Sequence, residues 1–527
     1  MKWTKMLFTR EKNSETKSLS TELDDITENV KSIFKDIESN KKVLKSLFGE
    51  TIDFVIDDVQ LGKRKGMICY FNTTININLL TDVVYKPIQH SNEINLNDGI
   101  EKLEEVVFSG LPVAVTDTYR DIIKNLLSGH IVIFIESFTK VLSIQVADVE
   151  ERSITEPTSQ TVIRGPKDGF VESIHTNLSL IRRRVKSQYL RFESMTVGDD
   201  TLTSVAICYL ENITNEDILN DVRKRLNGMK VKGVFDSGVV EELITDHPYS
   251  PFPLMFSSER PDTVASHLIE GKVAIVVDGS PFVLSAPTVF VDFYHTTEDY
   301  TNKYFFASFI RIISYVAFFM SLTLSALYIA FTTFHYELIP TLLLVSFQVQ
   351  SDGVPFPAVI EILMMELTYE ILREAGTRMP RAIGPTISIV GTLVIGQAAV
   401  EAGVVSSFVL IIVALSAISS FISTDYTFSA SLKLLRFFLI IMAGFLGLYG
   451  ILWGWFIISI HMVSLKSFGV PYASPIAPFI LQDHKDAVLR LPNFKTVTRP
   501  SYMKTKKTNG NKSQDGSSSM KEGDNWS

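Results

Sequence analysis

Long apolar segments are confined to the second half of the chain, where they predict a helical membrane region. Residues 305–331 contain Arg311 as their only charged side chain and are long enough for a tilted membrane span. Residues 383–400 have the pattern of a marginal span and residues 404–422 that of a clearer one. Residues 434–463 form a longer apolar segment. The shorter segment 338–347 includes a proline, which favours an interfacial or re-entrant piece.

Within this apolar region, residues 354–376 predict a helix with an unusual number of charges. The charged residues that we single out there are Glu361, Glu366, Glu370, Arg373 and Glu374. At 100° per residue, the last four fall within an arc of roughly 100°, and Glu361 lies nearly opposite. Carboxylates inside a membrane are costly and usually face a bundle interior, a charged partner or a water-filled path. This glutamate helix is therefore expected to have one hydrated or paired face and one apolar face.

Lysine and arginine positions predict how the region is oriented. Arginines cluster just before residues 383–400, and basic residues recur after Lys466. Both places favour the cytoplasm. A cytoplasmic N-terminal region and a cytoplasmic tail require an even number of crossings, whereas the glutamate helix and the four longer apolar segments give five. Two explanations stay open: the segment 434–463 turns back on itself, or a marginal helix does not cross.

The first half of the chain has the mixed texture of a soluble protein, and it contains an internal repeat. Residues 129–143, GHIVIFIESFTKVLS, align without a gap with residues 271–285, GKVAIVVDGSPFVLS. Upstream, MICYF around Cys69 matches AICYL around Cys208. Two related α/β subdomains explain this order of elements, and two chance hairpins of common strand composition are the alternative.

The predicted fold class is a soluble α/β N-terminal region of two related subdomains, followed by an all-α multi-spanning membrane domain. The predicted divisions are a polar N-terminal extension at 1–45, α/β subdomains at 46–160 and 161–300, a transmembrane domain at 301–465, a cytoplasmic C-terminal segment at 466–500 and a disordered tail at 501–527.

Composition narrows the function. The net charge of −8 and the absence of an extended basic tract give no support to nucleic-acid binding. Two cysteines cannot form a zinc pattern, and the phosphate-loop, HExxH and GxSxG motifs are absent. We therefore expect neither an enzyme nor a cofactor or metal. The basic run at residues 182–186, at the end of a predicted helix, is either an anion contact or a solvated helix end.

Four blocks resemble a known family. They are RGPKDGFVESIHTNLSLIRRR, SSERPDTVASHLIEGKVAIVVDGSPFVLSAPTVFVDFYHTTEDY, VPFPAVIEILMMELTYEILREAG and GPTISIVGTLVIGQAAVEAG. In this order they resemble the A subunit of the GerA-type spore germinant receptors, over residues 50 to 500. The resemblance implies a protein of the spore inner membrane that acts with a transporter-like B subunit and a lipoprotein C subunit. It also implies that nutrients trigger germination, and that the A subunit forms a homo-oligomer around a conduction path.

The resemblance and the charge pattern meet at the glutamate helix. In a ring of subunits, Glu366, Glu370 and Glu374 would form rings of carboxylates, which favour cations. Glu361 could instead contact a neighbouring helix. The first hypothesis is that this helix lines or gates a cation path. The alternative is that its glutamates pair locally with Arg373, Arg378 or Arg381, or lie at the membrane surface. Two further hypotheses are a non-conducting signalling scaffold and a secondary transporter, although no inverted repeat supports the latter.

Overall fold

The structure is a computed structural model of the full chain. It describes residues 32–61, 64–90, 108, 112–146, 156–379, 396–421, 425–492 and 499–506. Most of the predicted span at 383–400 and of the tail at 501–527 lies outside these residues. The described residues fold into two α/β subdomains, a helical bundle and a C-terminal segment.

The first subdomain is built on an antiparallel sheet of five strands. These strands are β1 (Phe54–Leu61), β2 (Arg64–Phe71), β3 (Val113–Thr116), β4 (His130–Ile135) and β5 (Val141–Gln145). They lie in the order β1-β2-β4-β5-β3. The helices of this subdomain are α1 (Ile37–Phe48), α2 (Ile77–Leu80), which continues through a π turn at Thr81–Tyr85 into α3 (Lys86–His90), and α4 (Tyr119–Leu127). The apolar face of α1 packs into the sheet core, so the predicted division between residues 45 and 46 falls inside this helix.

The second subdomain repeats this sheet. Its strands are β6 (Leu190–Val197), β7 (Thr203–Leu210), β8 (Phe256–Ser258), β9 (Val273–Val277) and β10 (Val283–Ala286). Their order, β6-β7-β9-β10-β8, is that of the first sheet. The two aligned sequence repeats form β4–β5 and β9–β10, and Cys69 and Cys208 are fully buried in the equivalent strands β2 and β7. The α/β region with two related sheets that the sequence predicts is therefore present. The helices of this subdomain are α5 (Ile174–Arg184), α6 (Glu216–Asn227), α7 (Ser237–Ile244), α8 (Pro261–Glu270) and α9 (Thr297–Thr301), with a 3₁₀ helix at Phe290–Tyr294.

A buried ion pair joins the two subdomains. Arg182 at the end of α5 donates from Nε and Nη2 to the two carboxylate oxygens of Asp53, each at 2.9 Å. Its guanidinium group lies between the rings of Phe71 and Phe192, at 4.7 and 4.6 Å from their centroids. For Arg182, both interpretations of the basic run are wrong, because this side chain is fully buried and serves the interior of the protein.

The helical bundle follows the second subdomain. Its helices are α10 (Tyr304–Ile329), α11 (Thr341–Ser351), α12 (Ala358–Arg378), α13 (Gly396–Glu401), α14 (Ser407–Ser420), α15 (Tyr426–Leu446) and α16 (Leu448–Ser464), with a π turn at Ala330–Phe334 and a 3₁₀ helix at Tyr336–Leu338. Among the described residues, the stretches Tyr304–Phe334 and Thr427–Leu446 are long and apolar enough to cross a membrane. Three further apolar helices are shorter, namely α11, α14 and α16. The described part of residues 304–464 is thus helical, with two clear candidate spans.

The predicted apolar segment 434–463 is a helical hairpin. It breaks at Gly447, which has a φ of +60°, a value that L side chains rarely adopt. A Cβ atom there would lie 2.8 Å from His335 and 2.9 Å from Phe334. On α16, a Cβ atom at Gly454 would lie 2.4 Å from Leu439 of α15, so the helices approach closely because this residue is glycine. The segment therefore turns back on itself at Gly447, as the first of the two explanations for the odd number of segments requires.

The C-terminal segment returns to the second subdomain and to the base of α10. It contains a short antiparallel pair, β11 (Lys466–Ser467) with β12 (Val470–Pro471), and 3₁₀ helices at Asp483–Lys485 and Ser501–Met503. The Tyr472 carbonyl accepts a hydrogen bond from the Phe290 backbone N–H at 2.8 Å. Arg311 of α10 donates to Asp299 at 2.7 Å and to Asp486 of the C-terminal segment at 2.8 Å. The segment therefore connects the soluble region to the first helix of the bundle.

Candidate functional site

The glutamate helix predicted at 354–376 is α12, Ala358–Arg378. It begins directly after Pro357, because a proline inside the helix would remove a backbone hydrogen bond. Along the predicted acidic arc, the exposed fraction of the carboxylate side chain rises from 0% at Glu366 to 19% at Glu370 and 49% at Glu374. Along the arc, the carboxylates thus change from fully buried at Glu366 to half-exposed at Glu374, near the end of the helix.

Glu366 is paired inside the bundle. Its Oε2 lies 3.0 Å from Nη1 of Arg436 in α15, and its Oε1 accepts a hydrogen bond from the Ser325 hydroxyl of α10 at 2.8 Å. Both charged side chains are at most 1% exposed. A buried charge is tolerated when a partner charge and hydrogen bonds compensate its desolvation, and this carboxylate has both.

Arg436 extends this contact to two more backbone groups. Its Nε donates to the Ser321 carbonyl of α10 at 2.6 Å, and its Nη2 donates to the Ser416 carbonyl of α14 at 3.4 Å. The Ser416 hydroxyl also donates to the Ser321 carbonyl, at 3.2 Å. One polar cluster therefore connects α10, α12, α14 and α15 at the centre of the bundle. We call Glu366, Arg436 and these serines the interhelical clamp.

Glu361 makes a different contact, with the start of α14. Its Oε2 accepts a hydrogen bond from the Ser406 backbone N–H at 2.9 Å, and its side chain is buried. Ser406 is the N-cap of α14, and a negative charge is favourable at a helix N-terminus. Glu361 thus contacts a neighbouring helix, in the direction opposite to the acidic arc.

The remaining charges of the arc lie near the end of α12. Glu370 Oε2 lies 2.8 Å from Arg373 Nη2 and 3.6 Å from Nζ of Lys433 in α15. Glu374 lies 2.7 Å from Arg378, a partner that is 79% exposed. Every carboxylate of the predicted site therefore has a partner in the same chain: a backbone N–H for Glu361 and a cation for the others.

Sequence reasoning placed the glutamates on α12 but missed the residues that hold them. Arg436, Lys433 and the serines of the clamp come from three other helices. A signal for Arg436 was present, since a cation in an apolar segment calls for a buried carboxylate as its partner. The serines gave no comparable signal. Within the described ranges, no group of three or more histidine, cysteine, aspartate or glutamate residues is placed to hold a metal ion.

Comparison with known proteins identifies the family. The chain matches the family model described as Bacillus/Clostridium GerA spore germination protein over residues 42–502. The chain belongs to this family. It is 41% identical over 472 residues to Spore germination protein KA of Bacillus subtilis (strain 168), covering 89% of this chain and 86% of that protein. It is also 37% identical over 468 residues to Spore germination protein GerLA of Bacillus cereus, covering 88% of this chain and 95% of that protein.

The chain is also similar to a solved structure. This is the crystal structure of the N-terminal domain of the A subunit of the Bacillus megaterium spore germinant receptor GerK3, with 29% identity and a TM-score of 0.40, covering 50% of this chain and 98% of that one. The GerA family and its relatives confirm the resemblance that the four sequence blocks indicated. They support a role in a germinant receptor, in a family whose members are receptor subunits and not enzymes.

Proposed function

We propose that this GerA-family chain is a multi-spanning A subunit in the spore inner membrane, and that several copies surround a germinant-gated cation path. The observation that carries this proposal is the exposure gradient along α12. Glu366 is sealed in the interhelical clamp, whereas Glu374 is half-exposed at the open end of the same arc. Carboxylates repeated around an axis favour cations, and an exposed carboxylate can face such an axis.

The five predicted site residues then divide by role. Glu361 and Glu366 hold α12 against α14 and α15, while Glu370 and Glu374 face the path. At rest, Glu370 has two cations within 4 Å, Arg373 and Lys433. These cations neutralise the Glu370 carboxylate at rest, so that it does not attract a cation to the path. Opening requires that α15 carry Lys433 away from Glu370.

Contacts of the C-terminal segment support the proposal that both ends of the bundle lie on the same side of the membrane. It hydrogen-bonds to the second subdomain through Phe290 and Tyr472, and Lys506 donates its backbone N–H to the Ile213 carbonyl at 3.0 Å. We propose that both regions face the spore core and that the number of crossings is even. The family resemblance adds a transporter-like B subunit, a lipoprotein C subunit and membrane lipid as partners, and a small nutrient as the trigger.

The experiment is conductance of the purified full chain in planar bilayers under a potassium chloride gradient. Glu374→Gln is expected to lower cation-over-anion selectivity, because it removes a carboxylate from the path. Lys433→Gln is expected to raise resting cation conductance. The matched control is Glu337→Gln, which removes an exposed carboxylate outside α12 and should change neither quantity.

A specific observation favours a second function, that of a non-conducting scaffold. All four carboxylates of the predicted site have partners within the chain, as a purely structural helix would require. Under this alternative the reconstituted chain gives no conductance. A chain that conducts, but whose selectivity is the same with and without the Glu374 carboxylate, would remove the proposed assignment of the path.

A further inference from the structure

A cavity lies where the second subdomain, the loop before α10 and the C-terminal segment meet. Its volume is about 410 Å³, within the range of small-molecule sites. Glu270 at the end of α8, His295 after the 3₁₀ helix Phe290–Tyr294, and Asp486 of the C-terminal segment all line it. The cavity is distant in the chain from the glutamate helix and shares no residue with the interhelical clamp.

One polar atom of this wall has no partner. His295 Nε2 is buried and makes no hydrogen bond within the protein. Burial is the main reason why the pKa of His295 is lowered, with a smaller contribution from Arg311 nearby. A neutral imidazole can accept a hydrogen bond at one ring nitrogen. A buried polar atom without a partner is uncommon in native proteins and calls for an explanation, and a bound donor is one.

Carboxylates on this side of the cavity share their cations in pairs. Lys272 Nζ lies 2.7 Å from Asp292 but 3.8 Å from Glu270, so a single ammonium group serves two carboxylates. Arg311 is likewise divided between Asp299 and Asp486. Burial is the main reason why the pKa of Glu270 is raised to about 7; Lys272 lowers this pKa, and Asp292 and Asp486 raise it further.

Two further cations line the cavity. Lys485 and Arg499, both from the C-terminal segment, also line the cavity. Lys485 is exposed, and Arg499 donates from Nε to the Ile269 carbonyl at 3.0 Å.

We propose that this cavity binds a small molecule through a primary ammonium group, which donates to the Glu270 carboxylate and to His295 Nε2. The site does not depend on the proposed cation path, because it lies outside the helical bundle. Its position gives it a regulatory consequence. Asp486 lines the cavity and also binds Arg311 of α10, so an occupant there contacts the residue that connects the C-terminal segment to the first bundle helix.

The test uses the full chain in lipid nanodiscs with butylammonium chloride as the probe. The probe is expected to raise the melting temperature saturably, whereas 1-butanol, of the same size without charge, and sodium butyrate are not. Glu270→Gln is expected to weaken the binding at least tenfold. The matched control is Glu241→Gln, which alters another carboxylate whose pKa burial raises to about 7, in α7 and outside the cavity.

A second variant keeps the proposal testable if Glu270→Gln folds poorly. Ser266→Phe adds bulk to the cavity wall at a partly exposed position and should abolish the saturable shift while the chain remains folded, as judged by circular dichroism. Equal shifts with butanol and butylammonium, or undiminished binding by Glu270→Gln or Ser266→Phe, would overturn the proposed site. Conductance measurements are not part of this test, so its failure would leave the cation-path proposal standing.

Discussion

Two buried arginine–carboxylate pairs, one between the soluble subdomains and one in the helical bundle, differ in the number of hydrogen bonds that the carboxylate receives. Asp53 receives two bonds from Arg182 and one each from the hydroxyls of Thr51 and Thr73, at 2.6 and 3.0 Å. Glu366 receives one bond from Arg436 and one from a serine hydroxyl. The first carboxylate has four short hydrogen bonds, and the second has two.

The arginines differ in the same way. Arg182 binds its carboxylate through two nitrogens and lies between two aromatic rings, which restrict the plane of the guanidinium group. Arg436 binds its carboxylate through one nitrogen and uses the others on backbone carbonyls of Ser321 and Ser416. A bidentate, stacked pair is a fixed connection. Arg436, with one bond to its carboxylate and others to backbone carbonyls, can change partners at a lower cost in free energy. A bundle that changes conformation requires such a contact.

The largest effect is expected from Arg436→Met. This change leaves the Glu366 carboxylate buried with only a serine donor, and breaking a buried pair from one side costs about 3–5 kcal/mol. We expect that loss in the free energy of unfolding, measured by denaturant titration of the full chain in detergent. The double variant Arg436→Met with Glu366→Leu removes both charges and should recover most of the loss. Equal destabilisation of the single and double variants would show that the pair is not coupled.

Arg182→Met is expected to cost about 3 kcal/mol, the lower end of the range for broken buried pairs. The reason is that Asp53 keeps its two threonine donors, so its charge remains partly compensated. Urea titration of the full chain, followed by circular dichroism, measures this loss in the free energy of unfolding. If Arg182→Met destabilised the protein more than Arg436→Met, the number of hydrogen bonds to the carboxylate would not explain the difference between the two pairs.

Helical periodicity was sufficient to place Glu366, Glu370 and Glu374 on one arc, because it depends only on residue spacing. It could not show which carboxylate is sealed, since that depends on Arg436 and Ser325 from helices far away in the chain. The Asp53–Arg182 pair was unpredictable for the same reason: neither local pattern specifies a partner in the other subdomain. The internal repeat was visible because equivalent buried strands in two copies of a sheet need similar apolar residues.

Glu241 supplies a third case, a partly buried carboxylate near two other acidic residues. Burial, and to a lesser degree Asp425 and Asp236, raises its pKa from 4.5 to about 7 in the folded protein. Between these values the folded state binds more protons than the unfolded state, so stability falls as the pH rises from 4.5 to 7. Glu241→Gln removes this loss and should stabilise the protein at pH 8 by about 1–2 kcal/mol. Denaturant midpoints at pH 5 and pH 8 measure it, and a variant with the wild-type pH dependence would contradict the assignment.

The smallest effect is expected from Arg378→Gln on α12. Its pair with Glu374 is exposed at both ends, and exposed pairs contribute about 0–1 kcal/mol. The same denaturant titration used for Arg436→Met should show a change below about 0.5 kcal/mol. A larger loss of stability would mean that the Arg378–Glu374 pair is needed to hold the end of α12 in place, so that Glu374 is poorly suited to facing a path. A small loss means that the Glu374 carboxylate can be altered without unfolding the bundle, so that any change in ion selectivity of a Glu374 variant reports its charge and not the stability of the helix.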